Sequence, residues 1–128
     1  MTARADDLVA RARRRIHRVQ PGELNSVVAA RGLVVDIRTE AQRRAEGELE
    51  GAVVVERNVL EWRLDPHGEH RLPQVRDHGQ WIVIVCSEGY ASSLAAASLV
   101  DLGFEHTGDL EGGFHAWRTW SERNVVRL

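Results

Sequence analysis

Apolar residues fall along this chain in two rhythms. LVVDI at 33–37, Ala52 to Val55 and Trp81 to Val85 form short, nearly continuous apolar runs, the pattern of strands buried on both faces in a parallel sheet. Residues 104–110 read as a weaker strand, because Gly108 and Asp109 are poor strand formers. Between these runs the spacing turns helical. Over 5–17, Leu8, Val9, Ala12 and Ile16 share one face, while Arg11, Arg14, Arg15 and Arg18 lie mainly on the other and read as a solvated side. Pro21-Gly22-Glu23 opens a second helix, with Leu24, Val27 and Val28 as its stripe and Gly32 as its stop. Thr39 can cap a third that runs to about Glu46. Ser93 to Leu102, rich in Ala and Leu, predicts a fourth, and Gly112-Gly113 leads into a last helix carrying Phe114, Trp117 and Trp120. Pro66, Gly68, Pro73 and Gly79 mark residues 64–80 as a long loop. Strands alternating with helices predict an α/β layer fold around a mostly parallel sheet.

A chain of 128 residues suits one domain, 1–128, with 1–31 as a helical extension and first helices and 32–120 as the core. It is long enough to bury a core without staples. The formal charge of -2 gives no global field toward nucleic acid or membrane. All 17 basic residues are Arg, so no Lys amine is present for Schiff-base chemistry. The one cysteine cannot form an intramolecular disulfide and fits a reducing compartment. MTARADDLVA has no apolar h-region, and no apolar run approaches the roughly 20 residues of a membrane helix. Together these features predict a cytoplasmic protein.

The chemistry concentrates in WIVIVCSEGYASSLAAASLV. A buried strand runs straight into Cys86, a short loop of Ser87, Glu88, Gly89, Tyr90 and Ala91 follows, and then a helix that Ser92 or Ser93 can cap. Cys86 therefore sits at the carboxyl end of a parallel strand, where open α/β sheets bind ligands. Loop N–H groups converging on the sulfur, together with the helix N-terminus, favour thiolate over thiol, and the thiolate is the nucleophile. Taken alone, an isolated Cys is more often a small buried hydrophobe. The surrounding pattern decides.

That pattern resembles the rhodanese family. LVVDIRTEAQ is similar to its entry strand, with Asp36 and Arg38 in the Asp-x-Arg position. EGELEGAVVVER resembles its Gly-His-Ile-x-Gly-Ala segment through Gly47, Leu49, Gly51 and Ala52, with Glu48 in place of the His. CSEGYAS occupies the active-site loop, and GFEHTGDLEGGFHAW resembles the closing signature through Gly103, Phe104, Leu110, Gly112, Gly113, Ala116 and Trp117. The resemblance covers residues 33–120 and implies a rhodanese-like α/β fold: about five mostly parallel strands with helices on both faces. It implies a sulfurtransferase in which Cys86 accepts sulfane sulfur as a persulfide and passes it to a thiol, cyanide or a protein acceptor, with no cofactor and no metal. The alternative it allows is a catalytically weak binding or regulatory module. Many thiosulfate-using members carry a cation in the loop, and this loop has none. Glu88 repels an anionic donor, so thiosulfate is expected to serve poorly. Arg57 or Arg63, after the strand ending near Val55, are candidate replacement cations. Trp62 and Tyr90 are candidates for the rim of the site, and Asp36 and Arg38 are expected to brace the loop through ion pairs.

Other chemistries lose on residue identity. A cysteine phosphatase needs Arg six positions after its Cys to clamp phosphate oxygens, and Ser92 stands there. Thioredoxin-type exchange needs a second thiol. His67, Glu69 and His70, with His78 downstream, lack the spacing of a metal site. GFEHTG and LEGG lack the Lys of a phosphate loop.

Overall fold

A computed structural model describes residues 3–124. Among them, five strands form one sheet: β1 (His17–Val19), β2 (Leu33–Asp36), β3 (Val53–Val54), β4 (Ile82–Val85) and β5 (Thr107–Leu110). Their order is β1-β5-β4-β2-β3, and every neighbouring pair is parallel. The helices are α1 (Arg4–Arg13), α2 (Leu24–Ala29), α3 (Glu40–Glu46), α4 (Leu60–Leu64), α5 (Ala91–Asp101) and α6 (Gly113–Arg123). Single 3-10 turns at Pro21–Glu23 and Arg57–Val59 lead into α2 and α4.

The continuous apolar runs have the physical cause the pattern implies. All four residues of β4, Ile82 to Val85, are fully buried. Their side chains alternate between two cores. Ile82 and Ile84 pack with Leu33, Val35, Leu60, Leu64, Ala95, Ala96 and Leu99 on the α4–α5 face. Val83 and Val85 pack with Val34, Leu24 and Phe114 on the α2–α6 face. Each such burial contributes about 1.5–3 kcal/mol, so both faces must be covered. The 65–81 segment carries no helix or strand but buries Leu72 and Val75 in the α4–α5 core.

The N-terminal third differs from its expected form. The helix predicted over 5–17 ends at Arg13, and residues 17–19 form an edge strand, with His17, Arg18 and Val19 in register with Gly108, Asp109 and Leu110. Ile16 leaves the helical face and packs against the core, while Leu8 is 48% exposed. Pairing to β5 satisfies three residues of backbone and overrides a helical period that was carried by only four apolar positions. The 1–31 segment thus adds a strand as well as helices. The termini of the expected 1–128 domain, residues 1–2 and 125–128, lie outside the described residues.

After β2 the chain moves outward to β3, and after β4 it moves the opposite way to β5. The crevice beyond the carboxyl ends of β2 and β4 is therefore a topological switch point, the usual ligand position in such sheets. Cys86 follows β4 directly at that crevice.

Candidate active site

Two N–H groups turn inward on the Cys86 sulfur, while carbonyls of the same turn are held from outside. Gly89 N–H and Ser92 N–H donate to Sγ at 3.2 and 3.3 Å. The Cys86 thiol donates to Ser92 Oγ at 3.2 Å. Opposite these contacts, the Cys86 carbonyl accepts from Phe114 N–H (2.8 Å) and the Ser87 carbonyl from His115 N–H (3.1 Å), both in the first turn of α6. This close docking needs glycine. Gly89 has φ +88° and Gly113 φ +65°; a Cβ on Gly113 would lie 2.6 Å from the Cys86 oxygen and the Glu88 nitrogen. The Gly-Gly pair before α6 therefore lets the helix reach the back of the loop.

Cys86 is buried, with 8% exposure. Its outer side opens on a cleft of about 500 Å³ lined by Ile37, Thr39, Gln42, Glu46, Arg57, Cys86, Ser87, Glu88, Tyr90 and Ala91. Arg57 thus reaches the cleft wall, where it also pairs with Glu61 at 3.0 Å. Tyr90 and Glu88 are exposed on the loop. Arg63 and Trp62 do not line this cleft. Leu60 and Leu64 anchor α4 in the core, which turns the intervening Trp62 outward, 60% exposed, and sends Arg63 to the His70 carbonyl at 2.7 Å.

Asp36 and Arg38 form a buried pair at 2.8 Å, and the Arg38 guanidinium lies 3.9 Å from the Phe114 ring centroid. Arg38 continues to Glu46 at 3.2 Å, and Glu46 accepts from Ser87 Oγ at 2.9 Å. A chain of contacts therefore runs from β2 through Arg38 and Glu46 to the Cys86 loop. Burial would raise the Glu46 carboxyl, but hydrogen bonds from His115, Ser87 and Arg38 outweigh it and hold it below its ordinary value. A carboxyl depressed by folding stabilises the fold above its unfolded value of about 4.3, and that contribution disappears as pH falls through the depressed folded value. Glu46→Gln should accordingly lower the melting temperature at neutral pH, with the gap to wild type closing in acid; a gap that stays constant from pH 7 to pH 3 would contradict this network.

A second set of residues lies behind the sulfur, and sequence reasoning missed most of it. Ser92 and Ser93 do not cap α5, which begins one residue earlier. Their hydroxyls both donate to Oδ2 of Asp109, at 2.8 and 2.7 Å. Asp109 has no exposure and takes Arg18 Nε on its other oxygen at 2.8 Å. Arg18, expected on a solvated helix face, is a half-buried β1 residue. Arg13 donates to the Gly89 carbonyl at 2.7 Å and to Ser93 Oγ at 3.1 Å. The signal available was Asp109 itself: a charged residue inside a strand that has to be buried needs a cation.

A buried thiol at the mouth of a tight strand-to-helix loop, at the switch point of a parallel sheet, defines a cysteine-centred α/β domain. Residues 20–119 match the model of the rhodanese-like domain, and the chain belongs to that family. It is 32% identical over 102 residues to the thiosulfate sulfurtransferase GlpE of Pseudomonas entomophila, spanning 80% of this chain and 84% of that one. Among solved structures it resembles a Rhodopseudomonas palustris protein of unknown function described as a possible tyrosine phosphatase, with TM-score 0.82 and 27% identity over 94% of this chain and 93% of that one. A rhodanese homologue from Thermus thermophilus aligns with TM-score 0.56 and 31% identity, over 78% of this chain and 99% of that one. No helix among the described residues is long and apolar enough to cross a membrane.

Proposed function

We propose that this protein is a sulfurtransferase that takes sulfane sulfur onto Cys86 as a persulfide and delivers it to a thiophilic acceptor. The observation that carries this reading is the Cys86 sulfur itself, held by the Gly89 N–H of the loop at 3.2 Å and the Ser92 N–H of the first turn of α5 at 3.3 Å, and facing an open cleft. Kinship with GlpE thiosulfate sulfurtransferases supports it. In the first half-reaction the Cys86 thiolate attacks the sulfane sulfur of the donor. The new Sγ–S bond forms as the donor's S–S bond breaks, and its electron pair leaves on the departing group. In the second, the acceptor attacks the terminal sulfur and the electron pair of the Sγ–S bond returns to Sγ. The loop N–H groups stabilise the sulfur anion at both ends of the cycle. With one cysteine in the chain, sulfur leaves only on an external nucleophile, and the open cleft gives that nucleophile its path. The acceptor is a small thiol, cyanide or a protein.

Phosphoryl chemistry is less well served. Ser92 stands where a cysteine phosphatase carries arginine, and its hydroxyl is engaged by Sγ and Asp109. The test is intact mass after incubation with a sulfane-sulfur donor: a reductant-labile gain of one sulfur atom on Cys86 is expected, and none from any donor would defeat the proposal.

Donor choice follows from charge. Arg57 is the cation on the cleft wall, and Glu88 is an exposed anion on the loop. Thiosulfate is therefore expected to load more slowly than a neutral persulfide. Arg57→Ala should reduce thiosulfate loading by about tenfold while sparing the neutral donor, since a charge-assisted contact to an anion contributes about 1.5–3 kcal/mol when well formed. Equal losses with both donors would show that Arg57 has no role in anion binding.

A further inference from the structure

The Cys86 loop contains no cation, yet two guanidinium groups meet at its back. Both come from residues that precede the family-matched span of 20–119. Arg13, the last residue of α1, donates through Nη2 to the Gly89 carbonyl at 2.7 Å and through Nε to Ser93 Oγ at 3.1 Å. Its guanidinium also lies 5.3 Å from the Tyr90 ring centroid. Arg18, in β1, reaches the same Gly89 carbonyl at 3.5 Å while pairing with Asp109 at 2.8 Å. We propose that the N-terminal segment is a working part of this active site: Arg13 and Arg18 form a cationic clamp that fixes the Cys86 loop from behind and supplies the positive charge the loop lacks. The proposal deepens the sulfur-transfer reading and names two positioning residues for it.

Three observations converge. The first is geometric. The Cys86, Ser87 and Gly89 carbonyls of the loop are held away from the sulfur, two by α6 N–H groups and the third by these arginines. Holding the Gly89 carbonyl from behind fixes the residue whose own N–H donates to Sγ at 3.2 Å.

The second observation is a charge count. Arg18 is neutralised by Asp109, which has no solvent exposure. Arg13 has no carboxylate within ion-pair distance among the described residues. Its positive charge, half-buried against the loop, remains to act on an anion at Cys86 and is screened less than a surface charge. The third is the coupling to the nucleophile. Ser92 Oγ lies 3.2 Å from Sγ and donates to Asp109, while Ser93 gives Asp109 a second hydroxyl. When the Sγ–S bond breaks and its electron pair returns to Sγ, the Ser92 O–H can rotate from Asp109 to the sulfur. Asp109 then keeps Arg18 and Ser93 and is never left unpaired.

Cys86 is the single thiol, so alkylation reports on it alone. The experiment compares its rates with iodoacetate, an anion, and iodoacetamide, its neutral analogue, in wild type, Arg13→Gln, Arg13→Lys and Arg18→Gln, alongside melting temperature and single-turnover loading from thiosulfate. In Arg13→Gln the iodoacetate:iodoacetamide ratio should fall about threefold or more at low salt, because a nearby fixed cation has gone. The loading rate at saturating thiosulfate should fall about tenfold, less than for direct loss of an oxyanion donor. Arg13→Lys, which keeps the charge but not the fork, should recover most of the ratio and only part of the rate. Should Arg18→Gln fail to fold because Asp109 is stranded, Arg13→Gln decides the matter. A folded Arg13→Gln with both ratio and loading unchanged overturns the clamp while a loading wild type keeps the sulfurtransferase. A wild type that never loads, yet loses alkylation selectivity on Arg13→Gln, overturns sulfur transfer and keeps the clamp.

Discussion

Cys86→Ser should take up no sulfur from any donor and transfer none, while melting within a few degrees of wild type. A serine oxygen fits the space of the thiol and can still accept from Gly89 and Ser92 N–H, so the loop should keep its shape. The hydroxyl is a far weaker nucleophile than a thiolate near neutral pH, and sulfane-sulfur exchange requires sulfur attack on sulfur. Intact mass after donor treatment, together with a thermal melt, reads both halves. A folded Cys86→Ser that retained sulfur transfer would remove Cys86 from the mechanism. A wild type that stays unloaded would instead return the binding-module reading.

Asp36→Ala should be among the most destabilising single changes in the molecule, at about 3–5 kcal/mol, the usual cost of leaving one member of a buried ion pair alone. Arg38 has no side-chain exposure and lies against the Phe114 ring, so its charge cannot escape to water when Asp36 is lost. Glu46, 3.2 Å from Arg38, compensates in part. Denaturant unfolding measures the loss. Against a total stability of about 5–15 kcal/mol it removes a large share of the total. A loss below about 1 kcal/mol would show that the pair holds little. An intact fold with sulfur loading abolished would assign Asp36 to the chemistry rather than to support of the loop.

Much of the fold could be read from the chain because its signals are local. Three apolar runs sit where β2, β3 and β4 sit, Thr39 caps α3 through its hydroxyl, and Gly112-Gly113 opens α6. The errors fall where pairing at long range overrides local spacing. β1 looks like the tail of a helix, and only its partner β5 makes it a strand. Ser92 and Ser93 look like caps, and only the burial of Asp109 gives their hydroxyls another partner. Arg63 and Trp62 follow Arg57 closely in sequence, yet the burial of Leu60 and Leu64 turns them from the cleft while Arg57 lines it.

The sequence by itself determined the parallel α/β class, the position of Cys86 after a buried strand, and the loop and glycine motifs that mark the rhodanese family. Each of these is written in neighbouring residues, through hydrophobic period, turn chemistry and motif order. Tertiary structure alone decided which charges meet the loop. Arg13 and Gly89 are 76 positions apart, and Arg18 and Asp109 are 91 apart. No local pattern specifies which of 17 arginines a buried carbonyl or carboxylate will meet; the parallel crossovers that lay α1 on α5 and β1 beside β5 make that choice.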